Sequence, residues 1–273
     1  MSFSRVAELL GRYRREPIGK LPRRIYSLWI QGESAAPDLV RLNWDRWARL
    51  NPDFELVVLD GAAARELIGT FPIDLGTLSP QAFSDVLRAK LLADEGGIWT
   101  DAAVLPVVPL AEWIDRCLEG CSFFAYEAPG KDRPIASWFL VARQQSVIMR
   151  EWWLAIREYW KRPRVLAVDE DGRWRIPEDP AGAIAPRGGG AECTYYYFWF
   201  HYLFAHLCES KPAFRSAWAR CSRKSAMPPH RLQGLLHQCP DLELDTLATE
   251  ARSSEMQKLN WRVSYPLELL GRL

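Results

Sequence analysis

The chain predicts an α/β fold with a largely helical C-terminal part, on three observations. In the first hundred residues, short apolar runs bounded by Pro, Gly and Asn-Pro alternate with amphipathic helical stretches, the rhythm of strands joined by helices. From about residue 191 the periodicity is mostly helical. The composition, 48% hydrophobic and 25% charged over 273 residues, also supplies enough apolar surface for one large core.

The elements follow in order. Residues 24–30 (RIYSLWI) read as a buried strand between Pro22 and Gly32. Residues 37–50 predict a helix rich in Trp and Arg, closed by Asn51-Pro52, and residues 55–59 a second strand ended by Asp60-Gly61. Residues 62–68 form a short helix, and 79–95 a longer one that stops at Gly96-Gly97. Residues 98–100 and 103–108 are strand-like, with Asp101 between them. Strands at 122–126 and 137–142 precede a Trp-rich helix at 147–160. Residues 161–190 carry many Pro, Gly and charged residues without periodicity, so they predict a long loop, a feature that is often functional. Residues 191–239 read as largely helical. No repeat or linker is visible, so residues 21–273 are expected to form one domain. Ahead of it, Phe3, Val6, Leu9, Leu10 and Tyr13 share a helical face ringed by Arg5, Arg12, Arg14 and Arg15. Residues 1–20 are expected to form an amphipathic helix, either packed on the domain or in peripheral contact with an anionic membrane surface.

Lys plus Arg number 35 against 34 for Asp plus Glu, a net charge of +1. Nucleic acid is therefore not an expected partner. Six scattered cysteines without paired C-x-x-C elements disfavour structural zinc. No signal peptide is evident, so reduced thiols and a cytoplasmic location are expected. The most apolar run, residues 194–208, contains two histidines and is shorter than the ~20 residues of a membrane span.

The informative stretch is 82–110. Asp85 and Arg88 are three apart and share a helix face. On a surface such a pair carries little weight. Here Phe83, Val86, Leu87, Leu91 and Leu92 predict a largely buried helix, where a charged pair costs desolvation unless it meets a ligand or further partners. Gly96-Gly97 permits a tight helix exit and close backbone approach. Asp101 falls just past a strand end, where α/β folds often locate ligand chemistry.

These residues form a familiar pattern. Ser84-Asp85-x-x-Arg88 followed by Gly96-Gly97-Ile98-Trp99-x-Asp101 resembles the sugar-binding region of DXD-type glycosyltransferases. That group includes the initiating mannosyltransferases, the glucosylating toxins and, most closely, the capsular polysaccharide synthesis proteins. Pro22-x-x-Ile25-x-x-x-Trp29-Ile30-x-Gly32 resembles the first nucleotide-binding strand. Tyr197-Phe198-Trp199-Phe200-His201-Tyr202 resembles the F-H-Y segment of the capsular group, and Lys258-Leu259-Asn260-Trp261-Arg262 its closing K-L-T-W-K. The resemblance runs from residue 21 to 262.

It implies a GT-A-like, Rossmann-type domain that binds a nucleotide sugar, UDP- or GDP-hexose. The hexose would pass to a glycan or lipid-linked oligosaccharide acceptor in capsular or other surface polysaccharide synthesis, with retention of configuration. In that pattern Trp29 lies at the base, and Ser84, Asp85, Arg88 and Gly97 belong to the sugar-binding region. Asp101 reaches the ribose, the sugar or a metal, while His201 and Lys258 complete the donor set. Asp85, Arg88 and Asp101 are the candidate catalytic residues. The chemistry is reasonable, because carboxylates accept from sugar hydroxyls and Arg offers a fork of donors. A leaving diphosphate needs positive charge, from Mn²⁺ or Mg²⁺ at Asp101 or from cationic side chains.

The chain departs from the D-x-D pattern at Ala103, which stands where the second Asp would be and cannot ligate a metal; the capsular group often shows D-A-T in this place, so within that group the departure is mild. Either other oxygens hold the ion or cations replace it. Lys258 and Arg262 are candidates, the alternative being that they are solvated surface charges. His201 is either a satisfied core residue or a base or diphosphate donor, and Trp138 is a candidate for the acceptor cleft. Two rival functions stay open, a protein-modifying transferase of related fold and a non-catalytic sugar-nucleotide or glycan-binding protein. Retention of Asp85, Arg88 and Asp101 favours the enzyme. The expected location is cytoplasmic, at or near the inner membrane face.

Overall fold

The computed structural model describes residues 19–180, 183–184, 194–238 and 243–273, and in it the early apolar runs become one mixed sheet. The strands of the first half are β1 (Arg24–Leu28), β2 (Glu55–Leu59), β3 (Gly97–Thr100), β4 (Val104–Pro106), β5 (Phe123–Gly130) and β6 (Arg133–Ala142). Five of them form the sheet, in the order β2-β1-β3-β6-β5. β1 pairs parallel with both β2 and β3, whereas β6 runs antiparallel to β3 and β5. All four residues of β3 are buried, as suits a central strand covered on both faces. The expected α/β class is observed. The amphipathic segment expected over 1–20 lies outside the described residues, apart from Gly19 and Lys20.

Helices α1 (Asp38–Leu50), α2 (Gly61–Ile68) and α3 (Pro80–Asp94) link the parallel strands. Local chemistry starts and stops them. The Asp60 carboxylate accepts from the N–H groups of Ala62 and Ala63, and Ser79 caps α3 with Pro80 in its first turn. After α3, Gly96 and Gly97 take φ of +75° and +102°. A Cβ at Gly96 would meet the Ala142 carbonyl oxygen at 2.9 Å, and one at Gly97 the Arg24 carbonyl oxygen at 3.0 Å. The pair thus turns the chain and lets its backbone enter the sheet between β1 and β6.

The buried face of α1 is partly polar. Asn43 Nδ2 donates to the Ala102 carbonyl at 2.9 Å, Trp47 Nε1 to Val104 at 3.0 Å, and Arg46 Nε and Nη2 to Pro106 at 3.2 and 3.1 Å. Asn51 Oδ1 accepts from Leu110 N at 2.7 Å. Positions 43, 46, 47 and 51 share one helical face. Together they satisfy backbone groups of the segment that follows Asp101, which has left the central sheet.

After the short α4 (Ile114–Cys117) and the β5–β6 hairpin come α5 (Val147–Tyr159), α6 (Trp199–Ser210), α7 (Pro212–Ala219), α8 (Met227–Gln238), α9 (Leu244–Ala251) and α10 (Leu267–Arg272). Much of the tryptophan belongs to the core: Trp47, Trp99, Trp152, Trp160 and Trp199 are fully buried, and Trp152 stacks on Phe200 at 3.9 Å between centroids. Cys117, Cys121, Cys208 and Cys221 are free. No described helix is long and apolar enough to cross a membrane.

Three details differ from the sequence expectation. The strands expected at 122–126 and 137–142 extend into a long hairpin, because register shifts absorb Pro129, Gly130 and Pro134. Within the expected loop at 161–190, β7 (Val165–Leu166) pairs with β8 (Thr194–Tyr195). The strand expected at 103–108 shortens to β4, whose partner is the unforeseen β9 (Met256–Lys258).

Candidate active site

Because β1 and β3 run parallel, Trp29 and Asp101, each just past its strand, emerge at the same sheet edge. A cleft of about 940 Å³ opens there. Trp29, Ser84, Asp85, Arg88, Asp101, His201 and Lys258 all line it. Gly97 does not. It begins β3, at the end of the strand opposite Asp101, and its role is to let the backbone pack against Arg24 and Tyr26.

Arg88 organises the floor. Its Nη1 donates to the Ser137 carbonyl at 2.6 Å and its Nη2 to Ser84 Oγ at 2.8 Å. The same guanidinium pairs with Asp85 Oδ1 at 3.5 Å and with Asp101 Oδ1 at 3.2 Å. It also lies over the Trp99 ring, 4.9 Å from the centroid. Arg88 and Asp85 are 5% and 6% exposed, so the pair is buried as its apolar flanks predicted. Burial pushes the Asp85 carboxyl up to about 7, against the pull of Arg88.

Asp101 is more open, with 29% of its side chain exposed. Its Oδ1 also accepts from Trp99 Nε1 at 3.1 Å, and its backbone N–H donates to the Trp138 carbonyl at 2.8 Å. Oδ2 faces Lys258 Nζ at 3.8 Å. That lysine arrives on β9, whose register with β4 sets Val104 opposite Lys258, and Leu259 N–H donates to the Ala103 carbonyl at 2.8 Å.

His201, on α6, is 8% exposed. Burial first, then the charges of Arg133 and Arg88, push it down to about 3, so it is neutral near pH 7. Its Nδ1 has no hydrogen-bond partner among the described residues. On the opposite wall Trp29 meets Trp261 edge to face at 5.4 Å, and Arg262 lies over the Trp261 ring at 4.4 Å.

Arg133 and His230 also line the cleft and carried no sequence signal. Arg133 lies over Phe198 at 3.7 Å, and its hairpin was masked by Pro and Gly. His230 meets Trp138 edge to face at 5.6 Å and comes from α8, which holds no motif. Burial pushes His230 down to about 4. Among the described residues, the charged lining comprises Arg88, Arg133, Lys258 and Arg262 against Asp85 and Asp101, an excess of positive charge suited to an anionic ligand.

The set does not suit a divalent cation held in the D-x-D manner. Ala103 offers no oxygen from its side chain. Both oxygens of Asp101 already face cations, Arg88 and Lys258. Among the described residues, no three His, Cys, Asp or Glu side chains gather to hold a metal ion.

A family model described as capsular polysaccharide synthesis protein matches residues 10–167. Curated proteins gave no sequence match. Among solved structures, one similar to this chain is a glycosyltransferase involved in glycosylation of the major capsid of PBCV-1. The two are 11% identical with a TM-score of 0.44, over 91% of this chain and 97% of that one. The PaToxG glycosyltransferase is 12% identical with a TM-score of 0.40, over 92% and 86% of the two chains. The galactosyltransferase LgtC, solved with donor and acceptor sugar analogs, is 12% identical with a TM-score of 0.37, over 92% and 100%.

Proposed function

The chain belongs to the capsular polysaccharide synthesis protein family; from that premise we propose that it is a glycosyltransferase whose residues 21–273 act as one domain passing a hexose from UDP or GDP to a glycan hydroxyl. The setting is capsular or other surface polysaccharide assembly, on a lipid-linked or growing glycan at the cytoplasmic membrane face. One observation carries the reading: a buried guanidinium, Arg88, joins Asp85 and Asp101 on the floor of a positively charged cleft. Carboxylates held this way accept from sugar hydroxyls, while the cationic walls favour a diphosphate.

The reaction follows from that division of labour. The bond between the anomeric carbon and the diphosphate oxygen breaks, and its electron pair stays with that oxygen. The acceptor hydroxyl oxygen bonds to the anomeric carbon from the same face, and its proton passes to the departing diphosphate oxygen. No side chain is needed as nucleophile, which fits retention. Asp85, Arg88 and Asp101 orient the sugar, and Trp29 and Trp261 flank the nucleotide end.

Asp101→Asn and Asp85→Asn are each expected to lower transfer by roughly 100-fold or more, comparable to deleting a transition-state contact. Circular dichroism should be unchanged. NMR of the product would report an anomeric configuration equal to the donor's. Full activity in either variant would overturn the site assignment, and inversion would overturn the mechanism.

A further inference from the structure

The cleft brings a lysine to a place where a D-x-D glycosyltransferase would need a metal. Ala103 is the first step: its side chain is a methyl group, so only Asp101 remains of the acidic pair. Asp101 is itself neutralised. Arg88 Nη2 stands 3.2 Å from its Oδ1, and Lys258 Nζ stands 3.8 Å from its Oδ2. A divalent ion on this carboxylate would sit against two fixed positive charges, and among the described residues the one other carboxylate lining the cleft is Asp85, which Arg88 already engages.

Lys258 is not a loose surface charge. Its side chain is 20% exposed, and its Nζ donates to the Leu259 carbonyl at 3.2 Å. Its backbone is held by the β4–β9 ladder, and the neighbouring Leu259 N–H binds the carbonyl of Ala103 itself. The strand that delivers the lysine is therefore bonded to Ala103, the residue at the second position of the D-x-D pattern. Arg262 lines the same wall, packed on Trp261, and has no ion pair among the described residues.

Resting on the donor site proposed above, we infer that Lys258, supported by Arg262, holds the diphosphate of the donor in place of a divalent cation. A single ammonium is a compact point charge that can contact phosphate oxygens without a coordination shell. The charge left on the diphosphate as the glycosidic oxygen departs is then met by side chains, and the cleft binds donor in the absence of metal.

The test is calorimetric titration of the full chain with UDP, with GDP and with the parent nucleosides, each in EDTA and in Mn²⁺. One diphosphate should bind with a dissociation constant that differs by less than about 3-fold between the two buffers. Lys258→Ala should weaken that diphosphate at least 10-fold in both buffers and leave nucleoside affinity within about 2-fold. A wild-type affinity that rises 10-fold or more with Mn²⁺ would overturn the inference while leaving the donor site standing. Equal losses for diphosphate and nucleoside in Lys258→Ala would also overturn it, because they would assign the lysine a structural role. No binding of either diphosphate in either buffer would instead remove the donor-site reading on which it rests.

Discussion

Arg88 serves two carboxylates, a hydroxyl and two backbone carbonyls with one planar fork, a task that the point charge of lysine does not perform. Burial, more than the charge of Arg88, sets the site's acid–base balance. Asp85 and His201 titrate in opposite senses there. The Asp85 carboxyl is pushed from its ordinary 3.8 up to about 7, so the folded protein keeps a proton that the unfolded chain has released. Stability therefore falls as pH climbs through that interval. His201 is pushed from 6.5 down to about 3, so the unfolded chain gains a proton that the folded protein refuses, and stability is lost as pH drops below about 6.5. Urea unfolding between pH 4 and 8 would separate the two. Relative to wild type, Asp85→Asn should gain on the order of 2–4 kcal/mol as pH rises from 4 to 7. His201→Gln should instead gain about 2 kcal/mol as pH falls from 7 to 5. Differences that stay flat with pH would contradict both assignments.

At the scale of elements, α1 acts as a template for the chain that follows Asp101. Asn43 holds the carbonyl of Ala102, the next residue. Asn43→Ala leaves that buried carbonyl unpaired and is expected to cost about 1–3 kcal/mol in denaturant unfolding. The kcat should also fall several-fold, since the residue next to Asp101 loses its tether; an unchanged kcat would reduce Asn43 to a structural role. This face of α1 was not legible beforehand. Asn and Arg on a helix read as solvated positions, and their carbonyl partners lie 59 and 60 residues away. β9 was hidden for a similar reason, because three residues, Met-Gln-Lys, carry no period and their pairing is remote. By contrast α3 could be read directly. Ser79 and Pro80 mark its start, Gly96-Gly97 its exit, and the apolar flanks of Asp85 and Arg88 foretell their burial, all within one short window.

For the whole molecule, the sequence revealed the alternation of the parallel strands and the local part of the site, but not the residues that enter from afar. Asp85, Arg88 and Asp101 were readable from their surroundings. Lys258 and His201 were suggested by resemblance alone, and Arg133 and His230 by nothing, since only the closed fold brings them to one cleft. The basic, amphipathic segment at residues 1–16 makes a prediction at this scale. Its deletion should abolish co-sedimentation with vesicles containing anionic lipid, while transfer to a water-soluble acceptor is retained. Undiminished sedimentation would refute a membrane role for the segment.

The β4–β9 pair also sets an order of events during synthesis. β4 is made early and its partner late, and at roughly 5–20 residues per second the roughly 150 residues between them take about 8–30 s to appear. During that interval β4 is an open edge of the nascent chain, the kind of surface on which misassembly begins. Asn43 and Trp47 of α1 have by then been translated, and they grip the carbonyls of Ala102 and Val104. Those carbonyls face away from β9, whose ladder uses the groups of Ala103 and Val107, so α1 secures the opposite side of the strand, and the cleft gains Lys258 only once the returning strand has been made.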